Sequence, residues 1–298
     1  MSNILLIGHQ GYLGRALHAH LERSNKVVGW DKDEDLFKLD GATLAKHDID
    51  LVINLAVVAD RGTGAYIVDT AGDRVNVAGA RHLGSILKGT QITWIQMSTR
   101  EVLGPVYTAA DVKKTARGLR PKWLVDEEQP YAPTNPYGKS KLMAELISES
   151  HPQSAIIRLT SCYTDYDHPA GNWVVALIRA VVQGKPVNLT RGGEQFRDPL
   201  HSDDLGQLIE LIHAKKTFGQ NFHAGGGRKN LISLKEFMLT ADPKVKIKRA
   251  PGGDYGFAFD NKKATTLTGW EPKILVRERI PIIAENIRAG IADPPRRK

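Results

Sequence analysis

Three glycines, Gly8, Gly11 and Gly14, stand where two opposite patterns meet in "NILLIGHQGYLGRAL". An unbroken apolar run precedes them, and apolar residues return at helical spacing behind them. A strand that turns this sharply into a helix needs residues without a Cβ: one for the turn, one where backbone must come close to a ligand, and one where helix lies against strand. The new helix then presents unpaired N–H groups and a partial positive charge. Three glycines alone are a weak signal. Here strand and helix flank them, and an acid, Asp31, ends the next apolar run "KVVGW" seventeen residues beyond Gly14.

The alternation continues through the first half. A helix is expected over 13–23, then strands in "KVVGWD" and "LVINLA", a helix over roughly 73–88, a strand in "ITWIQMS", a helix from Tyr137 to Ser150 and a strand in "SAIIRLT". Buried strands alternating with helices predict an α/β fold, a Rossmann-like doubly wound parallel sheet. The second half is less regular. "NWVVALIRAVVQG", "SDDLGQLIELIHA" (behind an Asp cap), "SLKEFM" and "VRERIPIIAENIRAG" read as helices and "PVNL" as a short strand. Residues 1–161 are expected to form the nucleotide-binding domain. Residues 162–298 form a smaller C-terminal lobe over the carboxyl edge of the sheet, with some segments returning to it, and that edge is where open α/β sheets bind ligands.

On this fold the glycine loop is a dinucleotide site. Asp31 would accept both ribose hydroxyls of NAD and repel the 2′-phosphate of NADP, whereas its neighbour Lys32 would welcome that phosphate. NAD is the expectation. The chain's 298 residues hold a single cysteine, Cys162, and no apolar run long enough for a membrane span. The start "MSNILLIGHQG" has neither a basic n-region nor a cleavage site and is needed by the fold, so a cytoplasmic location is expected. The formal charge is +8, part of it in "DVKKTARGLRPK". A nucleic-acid binder would concentrate such charge with stacking aromatics, whereas acids are well mixed in here, which argues against a nucleic-acid partner. A solvated face and affinity for a phosphorylated small molecule both fit.

"NPYGKSKLMAE" sets Tyr137 and Lys141 four apart at a helix start, on one face. A free phenol has a pKa of about 10, so making it a base at neutral pH takes about 4 kcal/mol of phenolate stabilisation. An adjacent ammonium and a positive nicotinamide ring can supply that.

With these motifs in order, the chain resembles the extended short-chain dehydrogenases/reductases in their NAD-dependent nucleotide-sugar epimerase/dehydratase branch. "GHQGYLG", "VINLA", "RVNVAGARHL", "MSTREVLG", "NPYGKSK", "IIRLTSCY", "GGEQFRDPLHSDDLGQLI" and "LTGWEP" carry the likeness nearly end to end. The resemblance implies cofactor contacts at Gly8, Gly11, Tyr12, Leu13, Gly14, Asp31, Lys32, Leu55, Ala56 and Ser98, with Tyr137 as acid/base, Lys141 as its tuner and ribose contact, and Thr99 orienting the sugar oxygen. It places Arg197 on the diphosphate of a nucleotide-diphosphate sugar, against the alternative of an ion pair with Asp198 or Asp203, and offers Arg249 as a second clamp. Arg158 is expected to brace the domain junction. A homodimer paired through helices that flank the sheet is also implied.

In this family a glutamate two residues after the threonine, here Glu101, is the base that removes the proton α to a new ketone in dehydratases. The central residue is an aspartate acid in one subgroup, a role that Arg100 is too basic to take. Arg100 is left to pair with Glu101, to hold a sugar carboxylate or to face solvent. Dehydratase, epimerase and decarboxylase readings stay open, as do an NAD(P)H-dependent 4-ketoreductase and an inactive NAD(P)-binding sensor or scaffold. No metal site is expected. Two departures stand out: only "DKDEDLFKLDGA" follows the second strand, leaving Asp35–Leu36 or Asp40 for the adenine contact. The stretch from Gly104 to Tyr137 is long and basic, either a substrate lid or an insertion with its own short helix.

Overall fold

The structure, a computed structural model, describes residues 1–59, 70–169 and 171–294. Six strands form the central sheet: β1 (Asn3–Ile7), β2 (Lys26–Trp30), β3 (Leu51–Asn54), β4 (Thr93–Thr99), β5 (Ser154–Leu159) and β6 (Gln220–Ala224). Every pairing is parallel and the order is β6-β5-β4-β3-β1-β2. The connection leaves β1 toward one edge for β2 and returns past it to β3, so the switch point lies between β1 and β3. Ligands bind at such a crevice because the two chains diverge there and leave the strand ends uncovered.

The helices in chain order are α1 (Tyr12–Leu21), α2 (Gly41–Lys46), α3 (Gly79–Leu87), α4 (Pro136–Ser148), α5 (Trp173–Val182), α6 (Ser202–Lys215), α7 (Leu234–Ala241), α8 (Lys262–Thr268) and α9 (Val276–Arg288). One face of the sheet is covered by α1 and α6, where Leu17, Leu21, Leu205, Leu208 and Ile212 pack on Ile4, Ile53 and Ile157. The other is covered by α2, α3 and α4 through Leu44, Leu83, Leu87 and Ala144. The sheet is therefore doubly wound, and its central strands β1 and β3 are almost wholly apolar because neither face meets water. β6 and α6 come from the second half of the chain and complete the first-half layers. A separate core in that half is built from Val174, Ile178, Phe237, Ile280 and Ile283 of α5, α7 and α9.

Three expectations are corrected. The connection after β2 is not bare: Asp40 accepts from Thr43 N at 2.8 Å and starts α2. Asp35 caps a separate 3-10 turn through Phe37 N. Both carboxylates named for adenine are thus helix caps, while Leu36 packs against Gly79. Second, α6 is capped by His201, whose Nδ1 accepts from Asp203 N at 3.1 Å; the two aspartates lie in the first turn. Third, the 104–137 stretch contains a 3-10 turn and an antiparallel hairpin, Val112–Thr115 with Gly118–Pro121. Leu119 N donates to Glu194 O, and Ser233 Oγ to Arg117 O, so the hairpin is pinned to the C-terminal lobe.

Candidate active site

The glycine loop has the geometry that its spacing implies. Gly8 has φ of +84°, and a Cβ there would meet Ala56 N at 3.0 Å, so the ends of β1 and β3 touch. A Cβ on Gly14 would lie 2.1 Å from Gly8 O, which only a bare helix face can avoid. Gly11 is the N-cap of α1, offers no side-chain acceptor, and has only Gly8 O near the position a Cβ would take. This is a cradle that a Cβ would fill, at a helix N-terminus whose donors no side chain has claimed. Its donor chemistry fits the pyrophosphate of a dinucleotide.

Around the cradle, Asp31 accepts from Gln10 N and from Lys32 N, each at 2.8 Å. The carboxylate ties the glycine loop to the end of β2 and keeps a lone pair on each oxygen for ribose hydroxyls. The Lys32 side chain is exposed in the following 3-10 turn. Leu55 N donates to Ile7 O, and Ala56 N to Asn54 Oδ1, which shapes the crevice wall. Tyr12 differs from expectation: its hydroxyl accepts from Thr164 N at 2.9 Å, and its ring packs with the C-terminal core. Its side chain joins the two parts of the molecule. Leu13 packs on the main core.

Thr99 ends β4, and its Oγ1 accepts from Glu101 N at 3.3 Å, which turns the chain into a 3-10 segment, Arg100–Leu103. α4 starts beside this turn. A Cβ on Gly138 would sit 2.5 Å from Glu101 O, so only glycine lets the helix approach. Further along α4, Glu145 is buried against β4 and β5. It accepts from Ser98 Oγ and takes Arg158 through Nε at 3.0 Å and Nη2 at 2.8 Å. Arg158 also donates to the Tyr131 hydroxyl at 2.6 Å. It braces α4 on the sheet. Ser98, expected at the cofactor, has its hydroxyl committed to this anchor.

The anchor fixes Tyr137 and Lys141 in successive turns over the end of β4, both buried. Burial pulls the Lys141 ammonium down to about 8, with the Glu145 carboxylate one turn away opposing the shift. The cation is still mostly protonated at neutral pH and lies in a low-dielectric setting, where its field on a nearby phenol is strong.

Beyond Thr99 a cavity of about 180 Å³ is lined by Arg100, Glu101, Gly104, Tyr107, Thr134 and Asp254. Asn135, the N-cap of α4, donates through Nδ2 to Glu101 Oε2 at 2.9 Å. Arg100 Nη2 lies 3.6 Å from Glu101 Oε1 and 3.8 Å from Asp254, with its guanidinium over the Phe257 ring. Arg197 grips the same Asp254 at 3.0 and 3.1 Å. Burial lowers the pKa of this guanidinium, with Asp254 opposing. The partner of Arg197 is therefore Asp254, and neither Asp198 nor Asp203. Arg249 stays exposed in its strand, with Gly192 beside it.

Sequence reasoning assigned no role to four residues that hold this arrangement: Asn135, Glu145, Asp254 and Asn76. Asn76 accepts from Val58 N and donates to Val58 O and to Ser140 Oγ, joining the crevice wall to α4. Asn135 was readable as a cap before a helix-opening proline, and Glu145 lies one turn beyond Lys141. Asp254 left no local signal, being 57 positions from Arg197.

A glycine cradle at a switch point, followed by a Thr, Tyr and buried Lys over the next strands, defines an NAD-dependent dehydrogenase-like enzyme. The chain belongs to the NAD dependent epimerase/dehydratase family, which it matches over residues 4–225. NAD is its cofactor. It is 24% identical to dTDP-glucose 4,6-dehydratase 1 of Escherichia coli K12, over 91% of this chain and 88% of that one. The fold is shared with dTDP-glucose 4,6-dehydratase of Bacillus anthracis in complex with NAD (TM-score 0.77, 22% identity, 97% of each chain). It is shared too with UDP-glucuronic acid 4-epimerase of Bacillus cereus in complex with UDP-glucuronic acid and NAD (TM-score 0.79, 20% identity, 96% and 99%).

Proposed function

We propose that the protein oxidises a hydroxyl-bearing carbon of a nucleotide-diphosphate sugar to a ketone and completes a dehydration or epimerisation through that keto sugar. The observation that carries this reading is the anchored helix: Tyr137 and buried Lys141 held over Thr99, with Glu101 on the wall of the adjoining cavity. Bound NAD would supply the hydride acceptor and return the hydride at the end of the cycle. Tyr137 takes the proton of the reacting hydroxyl, Lys141 stabilises the phenolate, and Thr99 orients the sugar oxygen. Glu101 then removes the proton on the carbon next to the ketone, which the carbonyl has acidified. Asn135 holds one of its oxygens, and Arg100 stands beside the other. Arg197 and Arg249 are assigned to the diphosphate, where a planar, always charged fork suits paired phosphate oxygens. The relatives named as acting on dTDP-glucose and UDP-glucuronic acid support a nucleotide sugar as substrate.

A homodimer is part of the proposal. Leu146 is 54% exposed on the outer face of α4, which a second copy would cover. The family resemblance supports that pairing.

Proton nuclear magnetic resonance of the enzyme with UDP-, GDP-, CDP- and dTDP-sugars tests the reading. A new sugar product, with solvent deuterium at the carbon beside the oxidised one, is expected. The Glu101→Gln variant should still reduce bound cofactor with that substrate yet stop before exchange. Full turnover by this variant would remove Glu101 from the mechanism, and silence of wild type toward all four classes would overturn the function.

A further inference from the structure

The hairpin that sequence reasoning could not place forms one wall of a second, much larger depression. It measures about 810 Å³ and shares no residue with the cavity at Glu101. One wall carries Lys113, Arg117 and Arg120 from the hairpin. The other carries Arg228 and Lys229 from the turn after β6 and Arg277 from the first turn of α9. Leu231, Leu275 and Pro121 supply apolar lining between them, and no acid among the described residues lines the groove.

One carboxylate lies against this set. Glu236, 13% exposed, takes Arg120 at 2.5 Å, Arg277 at 3.0 Å and Arg117 at 3.8 Å. Among the described residues, Lys113, Arg228 and Lys229 have no acid within the 4.0 Å ion-pair distance. Six cations against one carboxylate leave five positive charges, more than half of the chain's formal +8. Arg120 and Arg277 are preorganised, because Glu236 and the carbonyls of Leu119, Lys229 and Leu231 hold their forks. Arg117, Arg228, Lys229 and Lys113 stand exposed around them with donors to spare.

We propose that this groove is a second binding site, separate from the catalytic one, for a ligand bearing several adjacent phosphoryl groups. Charge sets the class: a single phosphate dianion would leave most of the five charges uncompensated, whereas a run of phosphoryl groups can engage both walls together. A free nucleoside triphosphate and an inorganic polyphosphate chain share that chemistry. The apolar lining between the walls gives a base somewhere to rest, and a bare chain would not use it.

The test is calorimetric titration of the full chain, saturated with NAD, with inorganic tripolyphosphate, ATP and orthophosphate at low salt. The triple variant Arg117→Gln, Arg228→Gln, Lys229→Gln alters only exposed side chains outside the catalytic machinery. One tripolyphosphate per chain is expected, bound well above orthophosphate and weakened about tenfold or more in the triple variant. Tighter binding of ATP than of tripolyphosphate would assign the nucleotide, and equal binding the bare chain; both support the site. Unchanged affinity in the triple variant, or orthophosphate bound as well as tripolyphosphate, would overturn it. So would a random oligonucleotide that outcompetes both.

Discussion

Lys141→Met should make this enzyme more stable and less active, and the stability gain should fade as pH rises. Lys141 is 3% exposed, and burial brings its pKa from 10.5 to about 8. At 1.36 kcal/mol per unit, holding its charge inside the fold costs about 3 kcal/mol at pH 7. A lowered lysine pKa means that the unfolded chain binds more protons between pH 8 and 10.5. Stability therefore rises with pH across that window as the buried ammonium is allowed to become neutral, and by pH 9.5 the cost has fallen to about half. Methionine keeps most of the volume without the charge, and Glu145 stays paired with Arg158. For a chain of this length, about 3 kcal/mol corresponds to a melting temperature higher by about 5 °C at pH 7. Differential scanning calorimetry of the NAD-free proteins at pH 7 and 9.5 measures this, alongside turnover, which should fall by about a hundredfold or more. A variant that melts lower than wild type at pH 7, or whose advantage is the same at both pH values, would refute the argument.

Gly138→Ala should lose activity before it loses the fold. Its Cβ would lie 2.5 Å from Glu101 O, so α4 must retreat and carry Tyr137 with it. A stability loss of about 1–3 kcal/mol by denaturant titration should accompany a fall in kcat larger than any change in cofactor affinity. Asp198→Asn probes another buried charge. Burial pushes its carboxyl up to about 7, and Oδ1 is buried without a hydrogen-bond partner. The folded state binds the extra proton here, so the wild-type penalty is complete above pH 7 and fades as pH falls toward 4. The variant should melt higher at pH 8, with less than half of that advantage left at pH 5; the reverse order would show that the carboxylate is needed.

The cofactor cradle was legible because its physics is local. Gly8, Gly11 and Gly14 satisfy demands made within one strand–turn–helix unit, and Asp31 follows one strand later. Tyr137 and Lys141 were legible for the same reason, as neighbours on one helical turn. Thr99 and Glu101 came from the family likeness, and the structure places them on the turn that α4 meets. The reading weakened wherever a side chain had to choose a distant partner. Tyr12 turned its hydroxyl to Thr164, Ser98 to Glu145 and Arg197 to Asp254. The loop from Gly104 to Tyr137 became a hairpin because Glu194, Ser233 and Glu236 hold it, all far along the chain.

By itself the sequence determined the doubly wound sheet, the strand–glycine–helix cradle and the pair on α4, since periodicity, Cβ crowding and helical spacing act between near neighbours. Only the tertiary structure decided which carboxylates neutralise which arginines, how deeply Lys141 is buried, and that five positive charges gather in one groove. Those are properties of distance and dielectric between segments that the chain keeps far apart, and packing alone brings them together.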